Sequence, residues 1–394
     1  MSIKMSAGEL AINGGRPIFE KPLHVNKPYS AERSKYQEYF DRAWHAEWFT
    51  NDGQLVREFE KRLELYLGVE ACVLTTNGTT ALELTLRALK LQGEVILPAY
   101  TFVSTANILT LMGLNPIFCD IDPDTLNLCP KACAALISDR TVAVIPTHIW
   151  GRPCAIEELQ ALCDHHDLKL IFDSAHAFGC KTPTGFIGGF GHAEVFSLHA
   201  TKSLHSFEGG FVATNDVDLA ETIRVSRNFG FTALDLVEMP GTNAKMSESH
   251  AAMGLANLDE FGSIKRRARA CFETYMKHLG DIPGLSLSGP DSSFSSNYHY
   301  VAATLDSSRF GITRDDLVTI LSAEGILARR YFYPGSHRLK PYADAFSQTQ
   351  RSLPVTDMVC ADSLILPGGA AMDSQDAQTV CEIIKLVFDA QPKP

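Results

Sequence analysis

Between about residues 70 and 215, short apolar runs alternate with amphipathic stretches. That rhythm predicts strands alternating with helices in a mainly parallel sheet. The apolar runs place strands at Ala71–Leu74, Glu94–Leu97, Pro116–Ile121, Val142–Thr147, Leu168–Asp173, Val195–Leu198 and Phe211–Thr214. Among the helices expected between them are Thr79–Lys90, with Leu82, Leu86 and Leu89 on one stripe, and Ile156–His165, with Leu159 and Leu162 inward. Beyond residue 245 the elements become sparser. One or two long helices are expected over 246–280, a strand near Tyr298–Leu305, a helix near Arg314–Glu324, a strand near Ile326–Tyr333 and a last helix near Gln375–Ala390. The expected organisation is therefore an irregular arm over residues 1–30, a large α/β unit over 31–245, and linking helices with a smaller C-terminal α+β unit over 246–394. The arm contains Pro and Gly and is expected to wrap the body or a partner subunit.

Composition narrows the classes. With 394 residues, 45% hydrophobic and 21% charged, the chain can bury a large core, and overall disorder is excluded. A net charge of −11 without a long basic run argues against nucleic acid or an anionic membrane as the main partner. A local pocket can still oppose the global sign and take a small anion. No apolar stretch approaches the roughly 18 to 20 residues of a membrane span, and the first residues hold no apolar signal core, so a cytoplasmic protein is expected. The ten cysteines lie among apolar neighbours without a CxxC pair, as buried free thiols do. Cys129 and Cys133 have no Cys/His pair at zinc spacing after them, and His165 and His166 sit at a helix end, so no metal site is expected. HExxH, the EF-hand loop and the P-loop pattern are missing.

Three segments carry candidate chemistry. Thr75-Thr76-Asn77-Gly78-Thr79-Thr80 joins a strand to a helix, where free N–H groups make either an anion cradle or a plain cap with Asn77 or Thr79 as N-cap. The strand Leu168–Phe172 ends in Asp173, followed by Ser174-Ala175-His176; carboxylates at that end of an open parallel sheet meet ligands, though many only cap turns. Twenty-nine residues on, Val195-Phe-Ser197-Leu-His-Ala-Thr-Lys202 puts a lysine just after a strand. Unless it is an exposed helix-start lysine, desolvation there favours its neutral, nucleophilic amine. A lysine with a strand-end aspartate is the pair that pyridoxal phosphate (PLP) requires: one for the Schiff base, the other to keep the pyridine nitrogen protonated. Phe102 could stack on a flat ring, and Ser197 could bond a phosphate.

In order, TTNGTTALEL, LPAYTFVSTAN, FCDIDPDTLNL, IFDSAHAFG, FSLHATKSLHSFEGG and GTNAKMSESHAAMGL resemble the DegT/StrS-like sugar aminotransferases, PLP enzymes of fold type I, over roughly residues 45 to 370. The resemblance implies a Schiff-base role for Lys202 and pyridine-nitrogen pairing for Asp173. It places His176 near the phenolic oxygen, Phe102 on the ring, and Gly78, Thr79 and Ser197 on the phosphate. Asn243 would reach the phosphate in a neighbouring subunit, within an obligate homodimer. Also implied are L-glutamate as amino donor and a keto group on a nucleotide-linked deoxyhexose as acceptor. GGRPIFEKP and Trp48–Gly53 resemble the branch acting at C4 of dTDP-4-keto-6-deoxyglucose. Arg329, Arg330 and Tyr331 are candidates for the substrate, and Arg329 and Arg330 could meet its diphosphate. His337 corresponds to a family histidine near the sugar, although two residues, Gly335 and Ser336, separate it from Pro334 where relatives often have one. Phe207 precedes Glu208-Gly209-Gly210 where many relatives carry glycine. Amination at C3, inosose amination and aminohydroxybenzoate formation remain open. A dehydratase would replace the lysine by histidine, a non-catalytic scaffold would have lost the lysine, aspartate or cradle, and a dinucleotide oxidoreductase would need GxGxxG.

Overall fold

The computed structural model describes Lys4 and residues 6–391. The parts of the arm at residues 1–3 and 5, and the last three residues of the C-terminal unit, lie outside the described residues. Seven strands form the central sheet in the order Ala71–Thr75, Gly210–Thr214, Ala193–Ser197, Lys169–Asp173, Thr141–Val144, Glu94–Pro98 and Asn115–Cys119. Gly210–Thr214 runs antiparallel to both neighbours, and the other pairings are parallel. Six strands therefore deliver their carboxyl ends to one edge. Near-continuous apolar runs are what a sheet covered on both faces needs, and separate apolar clusters cover the two faces.

Strand ends depart from expectation where the chain turns toward that edge. The Pro116–Ile121 run stops pairing at Cys119, and Ile121 makes only an isolated bridge to Leu128. Val142–Thr147 shortens to Thr141–Val144 because Pro146 has no N–H for the ladder. The helix expected at Thr79–Lys90 spans Gly78–Ala88, capped by the Asn77 side chain accepting from the Thr80 amide, which decides between the two N-caps. All ten cysteines are free, and all but half-buried Cys129 are buried.

Residues 246–280 form two helices, Glu248–Asp259 and Phe261–Leu279. The first packs against Arg33–His45 and Gln54–Leu67 within the core of the large unit. The second, with Arg314–Ala323 and Ser374–Asp389, covers a three-stranded antiparallel sheet whose middle strand is Val301–Leu305. The strand expected at Ile326–Tyr333 is corrected to Ile326–Leu327. Beyond it Arg329 pairs with Ile365, the Tyr331 carbonyl accepts from the Tyr100 and Ser363 hydroxyls, and Tyr333 N bonds Arg330 O in a turn before Pro334. These contacts redirect the segment toward the large unit.

The arm is irregular but anchored. Leu23–His24 pairs in parallel with Ile326–Leu327, and Leu10 and Phe19 are buried in the C-terminal core. Buried Glu324 accepts hydrogen bonds from Lys4 Nζ at 2.7 Å, Ala11 N at 2.6 Å and Ile18 N at 2.9 Å. Charged acceptors bond more strongly than neutral ones. Glu324→Gln is therefore expected to cut amide-exchange protection over residues 10–24 by about tenfold or more while leaving the central sheet unchanged, as read by hydrogen exchange with mass spectrometry.

Candidate active site

A cavity of about 360 Å³ opens at the edge where the parallel strands end. The chain enters it from several of those ends. Ala71–Thr75 leads into Asn77, Gly78 and Thr79, Glu94–Pro98 leads to Phe102, Lys169–Asp173 supplies Asp173, and Ala193–Ser197 supplies Ser197. His176, Lys202 and Tyr331 complete the sequence-derived residues that line it.

Lys202 sits in the turn after its strand, its amide bonded to His199 O. The carbonyl of the preceding Thr201 is held by His299 Nε2 at 2.8 Å. Lys202 Nζ donates to the Tyr300 hydroxyl at 3.4 Å. Desolvation pulls its pKa down to about 8, with the Asp173 carboxylate opposing the shift. The Asp173 carboxylate accepts from Thr105 Oγ1 at 2.9 Å and from the Ala175 amide at 3.1 Å, which fixes its orientation. Both donors are neutral groups, so neither forms an ion pair with the carboxylate.

Burial, reinforced by the Lys202 charge and His299, pulls the His176 pKa well below its usual value and keeps the ring neutral. The Trp150 amide approaches Nδ1 at 3.4 Å, which assigns the ring proton to Nε2. The Trp150 indole lies parallel to both the His176 and Phe332 rings, each at 5.1 Å, and Tyr300 packs on His176 at 4.7 Å. An aromatic wall thus faces the lysine.

At the helix start, Asn77 takes the Thr80 amide, while Gly78 and Thr79 occupy the first helical positions, whose N–H groups have no carbonyl one turn back. A Cβ on Gly78 would meet Ser197 Cβ at 3.1 Å, so glycine permits this close approach to the neighbouring strand.

The other predicted residues fall elsewhere. Arg329 and Arg330 line a shallow cleft that shares Phe102, Tyr331 and Phe332 with the cavity. Arg329 lies over the Tyr331 ring at 4.9 Å, and Arg330 pairs with Asp315 at 3.3 Å. His337 is not brought to either: it is buried against Phe118 and Phe346, with Nε2 3.0 Å from Asp357 Oδ1. Asn243 is exposed outside the cavity, its Oδ1 bonded by Lys245 Nζ at 2.8 Å. Thr105, Tyr300, Phe332 and Asn26 line the cavity, with Trp150 behind them, and sequence reading passed over all five. Trp150, flanked by His148 and Gly151-Arg-Pro in a loop, was the one with a local signal.

Pyridoxal phosphate asks for a deprotonable amine, a charged carboxylate and an anion-binding helix start around a flat slot, and these residues fit it. Sheet and cavity are those of a fold type I, PLP-dependent aminotransferase. Residues 30–385 match the DegT/DnrJ/EryC1/StrS aminotransferase family, and the chain belongs to it. It is 38% identical over 315 residues to a Shigella dysenteriae protein named dTDP-4-amino-4,6-dideoxy-D-glucose transaminase, covering 80% of this chain and 86% of that one. An Escherichia coli protein of the same name is 33% identical over 351 residues, covering 88% and 94% of the two chains. A crystal structure of DesI in the presence of its TDP-sugar product is similar at a TM-score of 0.93 and 43% identity, covering 98% of this chain and 97% of that one. Helicobacter pylori PseC, an aminotransferase involved in pseudoaminic acid biosynthesis, matches at a TM-score of 0.87 and 26% identity, covering 94% and 100%.

The lowered lysine pKa has a direct readout. In cofactor-free protein, acetylation of Lys202 by acetic anhydride, mapped by mass spectrometry, should rise with pH to half its maximum near pH 8, the value to which burial lowers this amine. Exposed lysines titrate near 10.4. A Lys202 profile superposing on theirs contradicts the desolvated amine.

Proposed function

We propose that this chain moves an amino group from L-glutamate to C4 of dTDP-4-keto-6-deoxyglucose, giving dTDP-4-amino-4,6-dideoxyglucose, and works as a cytoplasmic homodimer. The observation that carries the chemistry is the Lys202 amine, desolvated and sharing one cavity with the Asp173 carboxylate. Support for the substrate comes from the Shigella and Escherichia coli relatives of that name and from DesI with its TDP-sugar product.

When bound, PLP supplies a carbonyl carbon that carries nitrogen and a ring that draws electrons from the carbon being deprotonated. Lys202 would hold the cofactor through its ε-amine, and the same amine, neutral, would accept and return the proton of the reacting carbon. Asp173, oriented by Thr105 and Ala175, holds a proton at the pyridine nitrogen. Gly78, Thr79 and Ser197 bind the phosphate, and neutral His176 donates from Nε2 toward the phenolic oxygen. Phe102, Tyr331 and Phe332 exclude water around the reacting carbon. Arg329 and Arg330, on the adjoining cleft, meet the nucleotide diphosphate.

The dimer reading rests on exposed apolar surface. Tyr36, Phe40, Trp44 and Phe49 form a chain of ring contacts 5.6 to 6.0 Å apart, and Phe207 adds to it at 5.7 Å from Tyr36. Trp44 is 62% exposed in the single chain, and elsewhere on the chain Leu234, in the Phe231–Val237 hairpin, is 92% exposed. Surfaces of this kind mark association sites. The same association would carry Asn243 to the neighbouring cavity.

Lys202→Ala is expected to abolish both turnover and the visible absorption near 400 to 430 nm that a lysine Schiff base gives. Asp173→Asn should retain cofactor but lose on the order of a hundredfold or more in kcat. A panel of nucleotide keto-sugars incubated with glutamate, with product NMR locating the new nitrogen, tests the substrate; nitrogen at C3 overturns the C4 assignment. Analytical ultracentrifugation should give twice the chain mass, and a Trp44→Glu variant should sediment as the monomer.

A further inference from the structure

Lysine carries its amine on a flexible four-carbon stem, so a free amine wanders unless some group receives it. In this cavity the Tyr300 hydroxyl, at 3.4 Å, is the one hydrogen-bond partner of Lys202 Nζ among the described residues. Asp173 acts on the amine through its charge and makes no direct ion pair with it among the described residues. The other titratable groups close to the amine are His176 and His299, both kept neutral by burial. His199 and Glu208, on the same cavity wall, approach each other at 3.5 Å.

Tyr300 is held firmly. It directly precedes the strand Val301–Leu305 and is buried, with its ring on His176 at 4.7 Å, on Trp150 at 5.0 Å and edge-on to His299 at 4.9 Å. Burial, with Tyr331 and Asp173 adding to it, holds its pKa well above the usual value, so the group remains a hydroxyl. A hydroxyl oxygen accepts from an amine N–H and from an ammonium N–H alike. A carboxylate in its place would favour the ammonium and keep the proton there. The contact to Tyr300 therefore survives as Lys202 gains and loses a proton.

We infer that Tyr300 is a positioning residue for Lys202: its hydroxyl accepts a hydrogen bond from the amine whenever the cofactor has released it, and so keeps that amine in the cavity for both halves of the reaction. The consequence for rate rests on the aminotransferase reading above, in which one lysine moves the proton in each half. The contact itself belongs to the cofactor-free chain and does not depend on the choice of substrate.

Tyr300→Phe keeps the ring and removes the hydroxyl. In cofactor-free protein, acetylation of Lys202 should reach half its maximum about half a pH unit or more below the parent's value near pH 8, because the ammonium loses its acceptor and the charged form is disfavoured. In the PLP-loaded enzyme, stopped-flow rates of glutamate bleaching and of keto-sugar amination should fall together by about fivefold or more, with half-saturating concentrations of both substrates within about twofold of the parent. The parent gives a reading that needs no change at Tyr300. With tyrosine isotope-labelled at Cζ, one ring signal of the cofactor-free protein should titrate with the Lys202 midpoint and lose that titration in Lys202→Ala. An unmoved acetylation midpoint, a loss confined to one half-reaction, a shift in KM in place of rate, or no tyrosine signal following Lys202 overturns the inference. If the parent fails to bleach with glutamate while Tyr300→Phe moves the acetylation midpoint, the aminotransferase reading fails and the placement of the amine stands. If the parent bleaches yet aminates no nucleotide keto-sugar, only the substrate reading fails, and the glutamate half with the acetylation profile still decides for Tyr300.

Discussion

A charged amine is poorly tolerated where water is excluded, and this cavity turns that penalty into reactivity. Lys202 is placed by a turn at the end of a buried strand and by His299 on the Thr201 carbonyl, with aromatic rings in place of solvent. Its proton is consequently loosely held. The Asp173 carboxylate keeps the shift moderate, and Thr105 and Ala175 hold that carboxylate by hydrogen bonds without cancelling its charge. The sheet brings the two groups to one edge because the strands that carry them are adjacent and parallel.

The C-terminal unit takes part as more than packing. Tyr300 receives the lysine, His299 holds the lysine turn, and Asn297 Nδ2 donates to the carbonyls of His176 and Phe178. Tyr331 and Phe332 come from the segment that stops being a strand after Leu327. The cavity is therefore assembled from the arm, the large unit and the C-terminal unit, and each supplies a different surface.

How much of this was legible in the sequence follows from how local each signal is. Lys202, Asp173, Gly78 and Ser197 stand at strand ends, where an apolar run followed by a polar residue is visible in a short window. The seven central strands were found for the same reason, with overruns at the ends governed by Pro146 and by the turn after Cys119, and a late start at Val195 where the strand begins at Ala193. Tyr300, Thr105, Phe332 and Asn26 gave no such warning, because a buried aromatic or a lone polar residue reads as core or loop until tertiary contacts show what it faces; Trp150 offered only its His148 and Gly151-Arg-Pro neighbours as a cue. His337 was placed by spacing after Pro334 alone, and its ring lies buried against Phe118 and Phe346, outside the cavity lining. The false strand to Tyr333 reflects a tertiary override, since β-favouring residues there are committed to Tyr100, Ser363 and Trp150.

The order of strands bears on how the molecule is made. Ala71–Thr75 is an edge strand whose one neighbour in the sheet is Gly210–Thr214, and Gly210 packs directly against Asn77 and Gly78. During synthesis the Asn77–Thr79 loop leaves the ribosome long before the strand that packs against it. The loop therefore stays unclamped until that strand has emerged, and Leu23–His24 must wait longer still, for Ile326–Leu327. A chain stalled before residue 210 leaves the Ala71–Thr75 strand without its neighbour, the kind of open edge that invites association with other chains.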